Sequence, residues 1–102
     1  IAENSADIRR RVIKGRGIQR KRFLGRLQTN SEMKNEDIKK YCQVSAEGMD
    51  LLRQAISSLN LSARGYHRVL KLGRTIADLA SAENILTEHI AEALQYRARD
   101  EN

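Results

Sequence analysis

The stretch from Leu59 to Leu79, LNLSARGYHRVLKLGRTIADL, most constrains the fold, because its apolar residues recur at helical spacing. Ser62 stands directly before this pattern and is a favoured N-cap residue, so we predict a helix that runs to about Ala80. The apolar positions that should form its buried face are Tyr66, Val69, Leu70, Gly73, Ile76, Ala77 and Ala80. The opposite face carries Arg64, Arg68, Lys71, Thr75 and Asp78.

The first turn of this helix is unusual in its charge. Helices favour Asp and Glu at their start, but this turn holds Arg64 and no acid, and Gly65 stands where a capping box would place Glu. A cation there costs about 0.3–1 kcal/mol unless an anion offsets it. Free backbone N–H groups beside a small residue and a guanidinium favour a phosphate site. A merely solvated basic face explains the same pattern, so the residues alone leave both interpretations open.

Composition favours a small all-α domain. The chain has 102 residues, no proline, no tryptophan and one phenylalanine, which indicates one domain built as a bundle of about five helices. Cys42 is the single cysteine, which excludes an intrachain disulfide and fits a reducing, cytoplasmic compartment. No apolar run is long enough to span a membrane, and no signal-peptide pattern opens the chain. Because the chain starts at Ile1 and not at Met, we expect a piece of a longer protein.

The other helices are predicted from their caps and apolar spacing. They run from Ser5 to about Gln28, from about Asn35 to Cys42, from Ser45 to Asn60, and from Thr87 to about Arg97. Gly15, Gly17 and Gly25 are expected to fray or bend the second half of the first helix, and Thr29-Asn30-Ser31 should end the pattern. The residues expected to face the core are Ile8, Val12, Gly15 and Ile18, then Ile38, Tyr41 and Cys42, then Met49, Leu52, Ile56 and Leu59, and finally Ile90, Ala93, Leu94 and Arg97.

The net charge of +6 is concentrated at the start of the chain. Residues 1–30 hold nine Lys/Arg against Glu3 and Asp7, whereas residues 31–102 hold ten against eleven acids. Such a basic segment suits nucleic acid, an acidic subunit face or solvent.

The search for chemistry within the chain gives little. His67 and His89 have no acid or cysteine at ligand spacing, so we expect no metal site. Asp78 and Glu92 are interpreted as helix-surface charges, not as an acid/base pair. Cys42 is expected to be a small core residue. No GxxxxGK[ST] loop is present, so the chain cannot cradle a triphosphate by itself.

Several motifs together resemble one known family. The run LSARGYHRVLKLGRTIADL, followed by ENILTEHIAEALQYR, is similar to the C-terminal domain of the magnesium-chelatase-like AAA+ ATPases of the ComM family. The upstream DIRRRV, Cys42 before Val44, and Leu51-Leu52 fit the same pattern. The glycines of the first helix depart from that pattern, whereas the SAR segment agrees with it.

The resemblance implies a helical lid domain, residues 1–102, behind an upstream AAA+ core that binds ATP with Mg²⁺. It also implies that Arg64 is the sensor-2 arginine, with Arg68 and Lys71 as auxiliary ATP-phosphate-binding residues. The implied partners are the upstream core, neighbouring subunits of a homo-hexamer, and DNA. The implied process is branch migration during natural transformation, although related chelatase subunits drive metal insertion into a porphyrin.

Two further sets of basic residues are candidates for contacts. Arg74 could pair with Asp78 at i, i+4 or contact a subunit. The cations of the first helix that could contact DNA or a subunit are Arg9, Arg10, Arg16, Arg20, Arg22 and Arg26. The competing hypotheses are a stand-alone DNA-binding module, with residues 45–80 as a helix-turn-helix, and a bundle that only binds other proteins.

Overall fold

The computed structural model describes residues 4–25, 27 and 29–100, and the side chains among them as far as residue 96. These described residues form five α-helices and one 3-10 turn. They are α1 (Ser5–Phe23), the 3-10 turn Asn30–Glu32, α2 (Asn35–Tyr41), α3 (Ala46–Ser58), α4 (Ala63–Leu79) and α5 (Thr87–Asp100). No strand occurs in the described part of the chain, so the predicted all-α bundle is confirmed.

Helix α4 is the centre of the bundle. It packs against α5, α1, α2 and the 3-10 turn, whereas α3 packs mainly against α5. The hydroxyl of Ser62 accepts a hydrogen bond from the Gly65 amide at 3.1 Å, so the predicted N-cap is confirmed. The predicted apolar face is buried at Val69, Leu70, Gly73 and Ala77 and partly buried at Tyr66 and Ile76. Ala80 was wrongly included, because it follows the helix and is exposed.

Helix α1 is shorter than predicted at its C-terminal end. Leu24 and Gly25 have left-handed backbone angles, with φ of 50° and 83°, and these end the helix after Phe23 instead of near Gln28. The start also differs, because the side chain of Asn4 caps the helix by accepting from the Asp7 amide at 2.8 Å, so Ser5 is not the cap.

Gly15 and Gly17 do not interrupt α1, whereas Gly25 lies in the left-handed turn that ends it. The helix continues through Gly15 and Gly17 to Phe23. At Gly15 a Cβ would lie 3.2 Å from Leu79 Cδ2, which shows that this glycine lets α1 approach α4 closely. The buried residues of α1 are Gly15, Gln19 and Phe23, whereas Ile8 is 46% exposed although it was expected in the core.

The caps of α3 were predicted correctly. Ser45 accepts from the Gly48 amide at 3.1 Å, and Asn60 has the expected left-handed φ of 53°. Leu52 is fully buried, but Leu59 is 45% exposed and does not belong to the buried stripe.

Helix α5 starts and ends differently from the prediction. Thr87 is its first helical residue and not its cap; the amide of Leu86 instead donates to His89 Nδ1 at 2.9 Å. The helix continues to Asp100, beyond the predicted end at Arg97, whose side chain lies outside the described part. Ile90 and Ala93 are fully buried, as predicted.

A short backbone bridge joins the segments that precede α3 and α5. The Ser45 amide donates to the Ile85 carbonyl at 2.9 Å, and the Ile85 amide donates to the Gln43 carbonyl at 2.8 Å. Ile85 is fully buried between them, so this bridge fixes both helix starts against the core. Among the described residues, no helix is both long enough and apolar enough to cross a membrane.

Candidate functional site

An open groove of about 790 Å³ runs along the N-terminal half of α4. Its basic side chains are Arg64, Arg68 and Lys71, which α4 presents at steps of four and three residues. The other residues that line it are Ser31, Ser62, Gly65, Val69, Leu72, Thr75 and Ala93. None of these lining residues is acidic, so the groove is suited to an anion.

Arg64 lies in the first turn of α4 and is exposed. That turn contains no acidic residue. The Ser62 hydroxyl takes up only one of the amides that a helix start leaves without a partner, that of Gly65. The guanidinium therefore lies at the positive end of the helix dipole, where a bound anion would offset the unfavourable charge.

Arg68 and Lys71 continue the basic side of the groove. Arg68 is exposed, whereas Lys71 is partly buried and its Nζ donates to the carbonyl of Ser31 at 3.3 Å. Lys71 thus links α4 to the 3-10 turn that forms the opposite edge. The structure brings together all three residues predicted to bind phosphate; their role in ATP binding stays a prediction.

A buried ionic cluster of Arg22, Arg74 and Asp78 lies farther along α4. Asp78 is 1% exposed, so its interpretation as a surface charge was wrong. Its carboxylate accepts two hydrogen bonds from the Arg22 guanidinium, at 2.7 and 2.8 Å, and one from Arg74 Nε at 3.2 Å. The predicted pairing of Arg74 with Asp78 is confirmed. Arg22 of α1 adds a second cation to this pair.

Arg74 is held by more than this ion pair. Its remaining nitrogens donate to the carbonyls of Tyr41, Ala82 and Glu83 at 2.8–3.2 Å. Burial lowers the pKa of Arg74, although the Asp78 carboxylate acts in the opposite direction. These bonds tie α4 to the end of α2 and to the segment before α5, so Arg74 is a structural residue.

Asn30 connects the ionic cluster to the groove. Its side-chain Nδ2 donates to Asp78 Oδ2 at 2.8 Å and to Thr75 Oγ1 at 3.1 Å. Its backbone N–H donates to Gln19 Oε1 at 3.2 Å. These contacts fix the 3-10 turn, and with it Ser31, beside Lys71. Sequence reasoning missed Asn30. An acid near a helix C-terminus is unfavourable unless cations compensate it, so Asp78 was a signal for nearby cations but not for Asn30.

The cations of α1 divide into separate groups. Arg9, Arg16 and Arg20 are exposed, and Arg10 forms an ion pair with Asp7. Arg22 points inward to Asp78 with its side chain only 11% exposed, so it is committed to the fold and is not free to meet DNA or a subunit. Arg26 lies outside the described residues.

The remaining titratable residues have structural or surface positions. His89 is buried and its Nδ1 accepts from the Leu86 amide, which gives it a capping role. Burial raises the pKa of the Cys42 thiol to about 11, which agrees with its predicted place as a small core residue. Glu92 is exposed. Within the described part, no group of three or more His, Cys, Asp or Glu residues is placed to hold a metal ion.

Comparisons with known proteins match the chain to one family. The family model described as magnesium chelatase, subunit ChlI C-terminal, matches residues 2–97. The chain is 42% identical over 96 residues to Competence protein ComM of Haemophilus influenzae, which covers 94% of the chain and 18% of that protein. It is 36% identical over 98 residues to YifB of Salmonella typhimurium and 35% identical over 98 residues to YifB of Escherichia coli. Each YifB match covers 96% of the chain and 19% of the relative.

The chain therefore belongs to the family of magnesium chelatase subunit ChlI C-terminal domains. The resemblance to the C-terminal domain of ComM-family proteins is confirmed. The chain spans about a fifth of the length of these relatives.

Proposed function

We propose that this chain is the helical lid domain of a magnesium-chelatase-like AAA+ ATPase, and that Arg64 is its sensor-2 arginine. The observation that carries the proposal is the exposed Arg64 at the start of α4, in a turn without acids and at the end of a groove lined by two further cations. In this proposal an upstream core supplies the bound ATP and Mg²⁺, and the groove closes over the phosphates.

The guanidinium acts during hydrolysis by binding the transferring phosphoryl group. The charge on that group shifts as the transition state forms. A planar donor aimed at this charge therefore stabilises the transition state more than it stabilises the ground state. Arg68 and Lys71 line the same groove and add positive charge without the position at the helix start. They are auxiliary contacts, with smaller effects on turnover than Arg64.

The proposed cellular role is that of a hexameric motor that acts on DNA by branch migration. Its support is the 42% identity to a relative named as a competence protein. The second candidate is an ATPase subunit of a metal chelatase, favoured by the description of the matching family. Both candidates use the same lid and the same arginine, so they differ in the partner that the ATPase drives.

The test is to substitute Arg64 in the complete ATPase that contains this domain. We expect Arg64→Ala to cut steady-state ATP turnover about a hundredfold, because losing such a contact costs on the order of 3 kcal/mol of barrier. Nucleotide binding should weaken much less. Arg64→Lys should recover little turnover, because a point charge lacks the planar fork.

The matched control is Arg53→Ala. Arg53 is also an exposed helical arginine, and its only described ion pair is the surface contact with Asp50. This variant should keep normal turnover, and thermal unfolding should show that both alanine variants fold. A well-folded Arg64→Ala enzyme with wild-type turnover would rule out the sensor role.

A further inference from the structure

The side of α1 that points away from the bundle is strongly basic. At 3.6 residues per turn, Arg9, Ile13, Arg16 and Arg20 fall on one stripe about 60° wide, which lies beside the buried face of the helix. All four side chains of this stripe are exposed. We call the stripe, together with the flanking exposed Lys14 and Lys21, the outer face of α1.

The five cations of the outer face have no carboxylate to neutralise them nearby in the chain. The sequence holds no Asp or Glu between Asp7 and Glu32. Asp7 is already paired with Arg10. Among the described residues, none of the side-chain hydrogen bonds or ion pairs involves Arg9, Arg16 or Arg20. From Arg9 to Lys21 the charges extend along about 18 Å of helix axis, at 1.5 Å per residue.

We infer that the outer face of α1 binds the phosphate backbone of duplex nucleic acid without sequence preference. A row of exposed cations on a convex helix complements closely spaced phosphates, and contacts to phosphates carry no sequence information. Naming nucleic acid as the ligand of this face rests on the proposed DNA-processing role. It differs from that role in assigning the contact to a surface separate from Arg64.

The residue types on the outer face argue against the two nearest alternatives. Protein interfaces combine arginine with aromatic residues and methionine and are depleted in lysine. This face carries two lysines and offers Ile13 as its one large apolar side chain. Proteins that bind single strands stack bases on aromatic rings. The one aromatic residue of α1, Phe23, is buried against Tyr41.

The test is fluorescence anisotropy of the 102-residue chain with labelled duplexes of two unrelated sequences, at several salt concentrations and without nucleotide. Both duplexes should bind alike, with a slope of about −0.9 in log K against log salt for each phosphate contacted. The triple variant Arg9→Gln, Arg16→Gln, Arg20→Gln should lose about 2.7 units of that slope. It should also bind at least tenfold more weakly at low salt.

Two control variants separate this surface from general charge and from protein binding. The triple variant Lys34→Gln, Lys39→Gln, Arg53→Gln removes the same charge from exposed positions elsewhere and should keep the wild-type slope. The variant Ile8→Ser, Leu24→Ser removes two exposed apolar side chains that are not part of the outer face and should bind duplex normally. Circular dichroism verifies that each variant folds.

Three results would overturn the inference. The first is wild-type binding by the arginine triple variant, and the second is an equal loss in the control triple variant. The third is tighter binding of labelled poly-glutamate than of duplex, together with loss of that binding in the Ile8/Leu24 variant. The last result would identify an acidic protein as the partner. Because no nucleotide is present, failure here leaves the Arg64 experiment intact, and failure of the Arg64 experiment leaves duplex binding intact.

Discussion

At the scale of single residues, three polar side chains converge on the buried Asp78. Its two oxygens accept from Arg22, Asn30 and Arg74, and its side chain is completely buried. A buried carboxylate costs several kcal/mol of desolvation and is tolerated because its partners surround it. Removing the carboxylate leaves two guanidinium groups inside the protein without a counter-charge. This state is less stable than the complete buried cluster.

We therefore expect Asp78→Asn to lower the free energy of unfolding by about 3–5 kcal/mol. The matched control is Asp50→Asn, which breaks the exposed pair with Arg53 and should cost no more than about 1 kcal/mol. Urea unfolding followed by circular dichroism measures both. Equal losses in the two variants would show that the buried cluster has no special role in stability.

The sequence allowed one half of this cluster to be predicted. Arg74 and Asp78 are one helical turn apart, so their pairing follows from helix geometry. Arg22 lies 56 residues from Asp78, and nothing local links the two. Asn30 was likewise hidden, because the position of the 3-10 turn against α4 depends on contacts between distant segments.

At the scale of the elements, local chemistry predicted the helix starts that depend on a single serine. Ser45 and Ser62 each accept from the amide three residues later, as their positions indicated. The end of α1 was placed too late because the left-handed backbone of Leu24 and Gly25 was not foreseen. Its continuity through Gly15 was underestimated because helix propensity assigns every glycine the same cost. Gly15 in fact allows close packing on Leu79, a gain that only the assembled bundle reveals.

Gly17 has no such compensation, since a Cβ added there meets nothing within 4 Å. We expect Gly17→Ala to raise the free energy of unfolding by about 0.5–1 kcal/mol through helix propensity alone. Gly15→Ala is the matched control and should gain less or lose stability, because its Cβ would be 3.2 Å from Leu79 Cδ2. Urea unfolding of both variants measures the difference. A larger gain at Gly15 would contradict this account.

At the scale of the whole molecule, the bundle places three cations along one groove but provides no complete nucleotide site. The sequence has no Gly-rich phosphate loop, and the groove has no acidic residue among its lining to hold Mg²⁺. The clustering of Arg64, Arg68 and Lys71 was predictable from α4 alone. The position of Ser31 at the other edge of the groove could be seen only in the folded structure.

We expect the 102-residue chain by itself to bind Mg-ATP far more weakly than micromolar and to hydrolyse none. Isothermal titration calorimetry and a phosphate-release assay measure both properties. Arg64→Ala in the isolated chain should change neither result, because the groove alone contributes only part of the phosphate contacts. Micromolar binding by the wild-type chain would contradict a division of the site between this domain and an upstream core.

The three charges of the buried cluster also restrict how such a chain can change over generations. A single replacement of Asp78 leaves two buried cations, and a single replacement of Arg22 leaves Asp78 with fewer donors. Each of these single replacements therefore passes through a less stable intermediate. A replacement of all three by well-packed apolar residues need not be less stable. Descendants of this domain should accordingly keep Arg22, Arg74 and Asp78 together or exchange them as a set.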